Sequence, residues 1–293
     1  MLKVSIGYKV FNVFNTVLLI GVALLCLLPI LNVFAISLSN NIAVQQGLVT
    51  FWPVNFSTDG YKFILLNKAF WTAMAVSVER VLLGFVVNMT LTVLIAYPLS
   101  RDSKAFPWRT VYVWYFIFTM LFGGGLIPSF LVVKYTGLMD TLFALIIPGA
   151  VPIFNVVLLL NFFRQLPREL EEAAFIDGAG HVTTLWRIVL PVSKAALATL
   201  SLFVIVGHWN EWFSAIIYMR RTENYPLQTY LRGIILASSF KVKNFNEAKL
   251  LNKLSNKTII SAQIFLGMVP ILCVYPFLQK YFAKGIILGS VKG

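Results

Sequence analysis

Two clusters of side chains carry the chemistry this sequence offers. One is acidic and small: Glu172-Ala173-Ala174-Phe175-Ile176-Asp177-Gly178-Ala179-Gly180, with Ile188-Val189-Leu190-Pro191 beyond it. It lies between two long apolar segments, where lipid cannot account for it, and it suits docking by a soluble partner on one side of a membrane. The other is polar and aromatic: His208-Trp209-Asn210-Glu211-Trp212, inside an apolar stretch. Polar groups within such a stretch are functional candidates by default. Neither cluster is catalytic in type. No paired carboxylates, metal-ligand set or nucleophile–base pair stands at catalytic spacing, so neither enzyme activity nor a metal site is expected. No GxxxxGK[ST] phosphate cradle is present. Any nucleotide energy must therefore be held by another chain.

Composition sets the elements that position these clusters. Hydrophobic residues make up 59% of the 293-residue chain and charged residues 12%, where a soluble domain carries roughly 25% charged residues. The mean hydropathy is +0.82. Lipid is the expected solvent, and the expected class is an all-α membrane protein. A helical bilayer crossing needs about 20 apolar residues. Six stretches qualify, at roughly 13–38, 70–99, 111–133, 142–163, 195–219 and 259–281. Lys3 and Lys9 precede the first, as in a secretory signal, but its apolar part exceeds the roughly 7–15 residues of such a signal and reads as a retained span. Cys26 and Cys273 lie in apolar runs and form neither a disulfide framework nor a metal spacing. The net charge of +13 suits anionic lipid. Nucleic-acid binding needs a solvated basic face with interleaved aromatics, which no stretch outside the spans supplies.

Six spans put both termini on one side. Lys and Arg are almost evenly divided between the two sides, so the short connection holding Arg101, Lys104 and Arg109 is the cleaner indicator. Short loops carry most of the positive-inside signal, which makes the termini cytoplasmic. Residues 1–293 then form one membrane domain, with a cytoplasmic loop at about 164–194 and external loops at about 39–69 and 220–258. In the third span, Gly123-Gly124-Gly125-Leu126-Ile127-Pro128 either breaks the helix beside a pathway or lets helices pack closely.

In the 164–194 loop, Pro167 suits a first helical turn, and Glu169, Glu171 and Glu172 complement the positive end of the helix dipole. Gly178 or Gly180 offers the left-handed stop. A second helical piece, around 183–188, is expected to end at Pro191. Ala173, Ala174, Phe175 and Ile176 give a small apolar face that fits a groove. An amphipathic helix lying on lipid is the alternative, but three glutamates beside an anionic leaflet oppose it.

The pattern Glu-Ala-Ala, two residues, Asp-Gly-Ala, then Ile-x-Leu-Pro about nine residues on resembles the EAA loop of ABC importer permeases. Trp209-Asn210-Glu211-Trp212-Phe213, Ile127-Pro128 and the tail Gln279-Lys280-Tyr281-Phe282…Gly289-Ser290-Val291-Lys292-Gly293 resemble segments of the carbohydrate-type group. Within it the chain is most similar to the maltose-transporter second permease and to permeases for complex oligosaccharides such as aldouronate and alginate. The resemblance implies a type I ABC importer permease fold in a bacterial cytoplasmic (inner) membrane. It implies that Glu172, Ala173, Ala174, Phe175, Asp177 and Gly178 form a coupling helix. This helix would seat in a cytoplasmic ATPase dimer that holds ATP and Mg, since this chain holds no cofactor. A sister permease would complete a heterodimer, and an external solute-binding protein would deliver an oligosaccharide. The tail would reach the ATPase.

Sugars are held by aromatic faces and fixed hydrogen-bonding groups. His208, Trp209, Asn210, Glu211 and Trp212 are therefore pathway candidates, with His208, Glu211 and Trp212 on one face at helical spacing. A structural polar cluster is the alternative. Glu79-Arg80 is either a buried ion pair or an interfacial anchor, and Gln263 is a further lining candidate. Eight basic residues at 220–257 would concentrate anions, as an acidic oligouronate or its binding protein requires; solvated loop charge is the plainer alternative. The competing function class, an ion-coupled secondary transporter, usually needs more spans and inverted repeats.

Overall fold

The chain is described by a computed structural model covering the backbone of residues 6–239 and 257–290. The described residues are helical apart from turns, loops and one isolated bridge, Ser39 to Phe56. They group into two compact units. One draws on Met1–Phe70 and Leu231–Val269, the other on Trp71–Tyr230 and Pro270–Gly293.

In the first unit, helix α1 (Ile6–Ser37) is 32 residues long. Its most apolar stretch has a mean hydropathy of 2.8 and is 0% buried within the chain, which is the behaviour of a helix solvated by lipid or by another membrane chain. It begins at Ile6 rather than near residue 13, because Gly7, Tyr8 and Val10 extend the apolar run past Lys9. Two short helices, α2 (Asn41–Gln45) and α3 (Asp59–Leu66), order the following loop. Asn40 caps α2 by accepting from the Ile42 N–H at 2.9 Å. Ala35, Ala43, Val44 and Val49 form its buried apolar cluster. Ser37 and Tyr61 share a hydroxyl hydrogen bond of 2.8 Å, and Thr258 donates to the Ser39 carbonyl at 3.3 Å.

In the second unit, α4 (Lys68–Ser100) contributes all but its first turn. The third expected span is two helices, α5 (Arg109–Leu121) and α6 (Leu126–Tyr135), bent by 112° at the glycine run. Gly125 has φ +84°, which a side chain would strain. The helix is therefore broken, as one of the two sequence readings held. The fourth span starts as two 3-10 turns, Leu142–Leu145 and Ile147–Gly149, and becomes α7 (Ile153–Arg164). Pro148 and Pro152 explain the irregular start, since neither can donate a backbone hydrogen bond.

The 164–194 loop holds α8 (Glu169–Ile176), α9 (His181–Thr184), a π turn Leu185–Val189 and α10 (Leu190–Val192). Pro191 was expected to stop the second piece. Instead it lies in the first turn of α10, where a missing donor is tolerated, and the chain bends by 83° only beyond Val192. The fifth span also departs from expectation. Helix α11 (Lys194–Asn210) stops at Asn210, Glu211 is extended (φ −73°, ψ 124°), and α12 (Phe213–Tyr218) starts afresh. Helical spacing therefore does not relate His208 to Glu211 and Trp212. Helix α13 (Leu227–Ser239) follows, and α14 (Lys257–Ser290) holds the sixth span with Pro270 and Pro276 inside it. Among the described residues, three helices are long and apolar enough to cross a membrane alone, and there are up to six crossings when each bent pair is one span.

Among the described residues, the second unit has two buried apolar clusters. Ala96, Tyr97 and Leu99 of α4 pack with Val156, Leu159 and Phe163 of α7, Leu185 and Val189 of the π turn, and Leu200 of α11. Val133, Ala144, Leu145, Ala215, Tyr218 and Met219 form the other. The first cluster packs the loop's π turn against three of the long helices.

Candidate functional site: a docking helix and a polar cavity

Helix α8 is built to stop cleanly. Glu169, Glu171 and Glu172 occupy its first turn, where negative charge complements the helix dipole. At its end the Ala179 N–H donates to the Ala174 carbonyl at 2.9 Å, and the Gly178 N–H donates to Phe175 at 3.1 Å. With Gly178 at φ +80°, this is a Schellman stop, and it selects Gly178 over Gly180 as the left-handed residue. Gly180 is extended and precedes α9.

Of the expected coupling residues, Ala174 is the one facing inward, at 5% exposure. Glu172, Ala173, Phe175, Asp177 and Gly178 are exposed, and Ile176 is 86% exposed. The Phe175 ring meets His181 edge-on at 5.0 Å. A salt bridge joins Glu171 to Arg101, with both side chains largely buried. Arg101 also lies 4.4 Å over the Tyr97 ring. Burial pulls the Arg101 guanidinium below its ordinary value, with Tyr97 and Asp102 opposing that pull. Arg168 pairs with Asp102 at 3.0 Å, in the open. Arg109 and Arg164 both donate to the Leu99 carbonyl, at 2.9 and 3.4 Å, closing the negative end of α4. The 101–109 connection and the docking helix thus form one charged platform. A hollow of about 310 Å³ lies within it.

The other cluster surrounds a cavity of about 510 Å³ in the second unit, a volume suited to a small organic ligand. Arg80, Asn88, Asn155, His208, Glu211, Ser214 and Tyr218 supply its polar lining. Arg80 is the hub. It donates to the Glu211 carboxylate at 2.6 Å, to the Glu211 carbonyl at 3.1 Å, to Leu145 O at 3.3 Å and to Ser214 Oγ at 3.3 Å. Its partner is Glu211 rather than Glu79, which is exposed. Glu211 in turn accepts the Ser214 N–H at 2.8 Å and the Ser214 hydroxyl. One carboxylate therefore ends α11, starts α12 and neutralises Arg80.

His208 reaches the cavity by another route. Its ring fills a notch at Gly84, where an added Cβ would come within 2.6 Å of Cε1 and 2.7 Å of Cδ2. Trp209 is 4% exposed and Asn210 faces outward; neither lines the cavity, nor does Trp212, whose carbonyl accepts from Thr229 at 2.9 Å. Gln263 belongs to the first unit and is 1% exposed there. Sequence reasoning missed Asn88 and Asn155. The signal for Asn88 was present: Arg80, Gly84 and Asn88 recur every four residues in an apolar helix, which places them on one face. Of the basic residues at 220–257, Arg220, Arg221 and Arg232 are exposed, and Lys241, Lys243, Lys249 and Lys253 lie outside the described residues. Val291, Lys292 and Gly293 of the tail also lie outside them.

Up to six apolar crossings among the described residues, a capped helix on a charged loop and a polar cavity describe a multi-pass membrane protein. Residues 108–288 match the family described as "Binding-protein-dependent transport system inner membrane component", and the chain belongs to that family. Protein LplC of Bacillus subtilis (strain 168) is 42% identical over 97% of this chain and 96% of its own length. The polygalacturonan/rhamnogalacturonan transport system permease protein YtcP of the same organism is 41% identical, over 92% of this chain and 94% of its own. A chain from the crystal structure of a bacterial ABC transporter involved in the import of the acidic polysaccharide alginate superposes with a TM-score of 0.86 at 36% identity. That match covers 96% of this chain and 100% of the other. The chain is thus a permease of the ABC importer type with a type I fold. The ion-coupled alternative has no support.

Proposed function

We propose that this chain is one half of the membrane pathway of an ATP-driven importer for acidic oligosaccharides, acting as a single permease domain. In this reading α8 is the coupling helix. Glu172, Ala173, Ala174, Phe175, Asp177 and Gly178 form the seat for a cytoplasmic ATPase dimer, which holds ATP and Mg. The observation that carries this is the exposure of Phe175 and Ile176 on a helix whose start is acidic and whose stop is fixed by Gly178. Apolar side chains on a charged, water-facing loop call for a protein groove. The 83° bend beyond Val192 would pass a push on the loop into α11.

A sister permease would supply the other half of the pathway, and an external binding protein would deliver the cargo. Both termini would be cytoplasmic, in a bacterial inner membrane. His208 and Glu211 would meet the passing sugar, while Trp209, Asn210, Trp212 and Gln263 would hold the helices that shape its path. The acidic cargo is supported by the polygalacturonan and alginate systems that the chain resembles, and by the exposed basic residues Arg220, Arg221 and Arg232. ATP-driven alternating access is then a two-state equilibrium biased from both faces of the membrane.

The test is reconstitution of the full complex in liposomes. Oligogalacturonate or alginate oligosaccharides with their binding protein should raise its ATPase rate, and neutral maltooligosaccharides should not. No response to any acidic oligosaccharide would overturn the reading.

A further inference from the structure

Four arginines and three carboxylates line the hollow of about 310 Å³ beside α8. Two of the arginines are matched. Arg101 pairs with Glu171, and Arg168 pairs with Asp102 at 3.0 Å. The other two converge on a single acceptor. Arg109 Nε donates to the Leu99 carbonyl at 2.9 Å, and Arg164 Nη2 donates to the same oxygen at 3.4 Å. Neither has a carboxylate within ion-pair distance among the described residues. Leu99 lies at the end of α4, and a helix end offers only about half a negative charge. Two full positive charges exceed that. The remaining N–H groups of both guanidinium ions can donate to a further acceptor. Arg109 is half-buried and Arg164 is exposed, so both are open to a ligand.

Charge and geometry define that ligand. Glu172, the third carboxylate of the lining, has no ion-pair partner among the described residues. Set against Arg109 and Arg164, it leaves one surplus positive charge. A monoanion balances the surplus. Two guanidinium groups meeting at one point present forked donors that match the oxygens of a phosphate group. A phosphodiester carries one negative charge and meets both conditions. A free phosphomonoester carries about −1.5 to −2 at pH 7 and overshoots.

The surrounding elements place the hollow at the level of lipid head groups. Helix α4 ends at Ser100, α5 begins at Arg109 and α7 ends at Arg164, so three apolar helices begin or end around it. Trp108, 67% exposed, directly precedes α5, and Phe106 stacks on Tyr112 with ring centroids 5.6 Å apart. Aromatic side chains gather where a span meets the head groups. Basic pockets between spans hold anionic head groups at that depth.

We infer that the hollow is a binding site for the phosphodiester of an anionic phospholipid such as phosphatidylglycerol, held by Arg109 and Arg164. The lipid phosphate ties the ends of α4, α5 and α7 together, directly beside Arg101, which anchors α8 through Glu171. The site concerns lipid rather than cargo, so it stands whichever solute the assembly carries.

The test uses the full complex in phosphatidylcholine nanodiscs doped with a phosphatidylglycerol that bears a photoreactive head group. Irradiation should place adducts on residues 100–109 or 163–172. Excess unlabelled phosphatidylglycerol should suppress them several-fold, and neither phosphatidylcholine nor inorganic phosphate should. Adducts absent from both segments would overturn the site, and suppression by inorganic phosphate would assign it to a free anion instead. Arg109→Gln/Arg164→Gln, which keeps amide donors for the Leu99 carbonyl, should lower the adduct yield several-fold. Lys104→Gln, exposed on the same connection but outside the hollow, should not. Equal losses in the two variants would show a diffuse surface attraction and overturn the site. A double variant that sheds the ATPase while its adducts persist would show that the arginines take an acidic side chain of that partner, which also overturns it. The labelling and competition arms need no substitution, so they decide the question even if the double variant fails to fold.

Discussion

Arg80 on α4 holds Glu211 by both its carboxylate and its backbone carbonyl, at the residue where α11 ends. The contact spans 131 positions in sequence and fixes three elements at once, because the same guanidinium also reaches Leu145 and Ser214. Removing Glu211 leaves the Arg80 charge buried and unmatched. Breaking a fully buried pair costs roughly 3–5 kcal/mol, and the partial exposure of Glu211 lowers that to about 2 kcal/mol for Glu211→Ala. Glu211→Gln keeps the shape and most hydrogen bonds and should cost less. Thermal unfolding of the purified complex checks the order. Equal midpoints for the two variants and the unsubstituted chain would show that the pair is inert.

Gly84 exists to admit His208. A methyl group at position 84 collides with the imidazole ring, so Gly84→Ala should destabilise by about 1–3 kcal/mol through overpacking. The double variant Gly84→Ala/His208→Ala should recover most of that loss. Failure of the second substitution to recover stability would place the strain elsewhere.

The Arg101–Glu171 pair ties the docking helix to the short 101–109 connection. A double-mutant cycle of Arg101→Ala and Glu171→Ala should give an interaction energy of roughly 0.5–3 kcal/mol. Each single variant should lower the number of sugars transported per ATP more than it lowers basal ATP hydrolysis. Transport and hydrolysis that fall in parallel would mean that the pair only supports folding.

Asp140 lies in the connection between α6 and the 3-10 turn Leu142–Leu145. Burial alone would raise its carboxyl, but the Arg221 N–H, the Asn224 amide, the Arg220 N–H and the Arg221 charge outweigh it and hold the group below its ordinary 3.8. The folded value is depressed, so the stabilisation is complete above the unfolded value and is lost as pH falls through the folded one. In thermal unfolding followed from about pH 5 to pH 2, the gap between the unmodified chain and Asp140→Asn should close at the acid end. A constant gap would exclude the ionised carboxylate as its source.

Much of this was legible in sequence, for physical reasons. Apolar run length located the spans, and the glutamates with Gly178 or Gly180 announced a short capped helix. The glycine run at 123–125 left a broken helix and close helix packing both open, and Gly125 at φ +84° decides for the break. Hydropathy is blind to where a helix stops inside an apolar run. The end of α11 at Asn210 therefore escaped, and with it the separation of Trp212 from His208. The Arg80 partner escaped because Glu79 is adjacent in sequence whereas Glu211 is adjacent in space, and at helical geometry neighbours i and i+1 point apart. Asn155, which no such spacing marks, became a candidate only when the cavity joined α4 to α7.

The central claim is that α8 takes its force from a separate ATPase. A photo-crosslinking residue at Ile176, which is 86% exposed, tests it most directly in intact cells. The account predicts an adduct containing an ATPase subunit, formed at Ile176 and absent from a control position such as Leu65, in the loop proposed to be external. Efficient crosslinking at Ile176 that captures only lipid or the sister permease would contradict it.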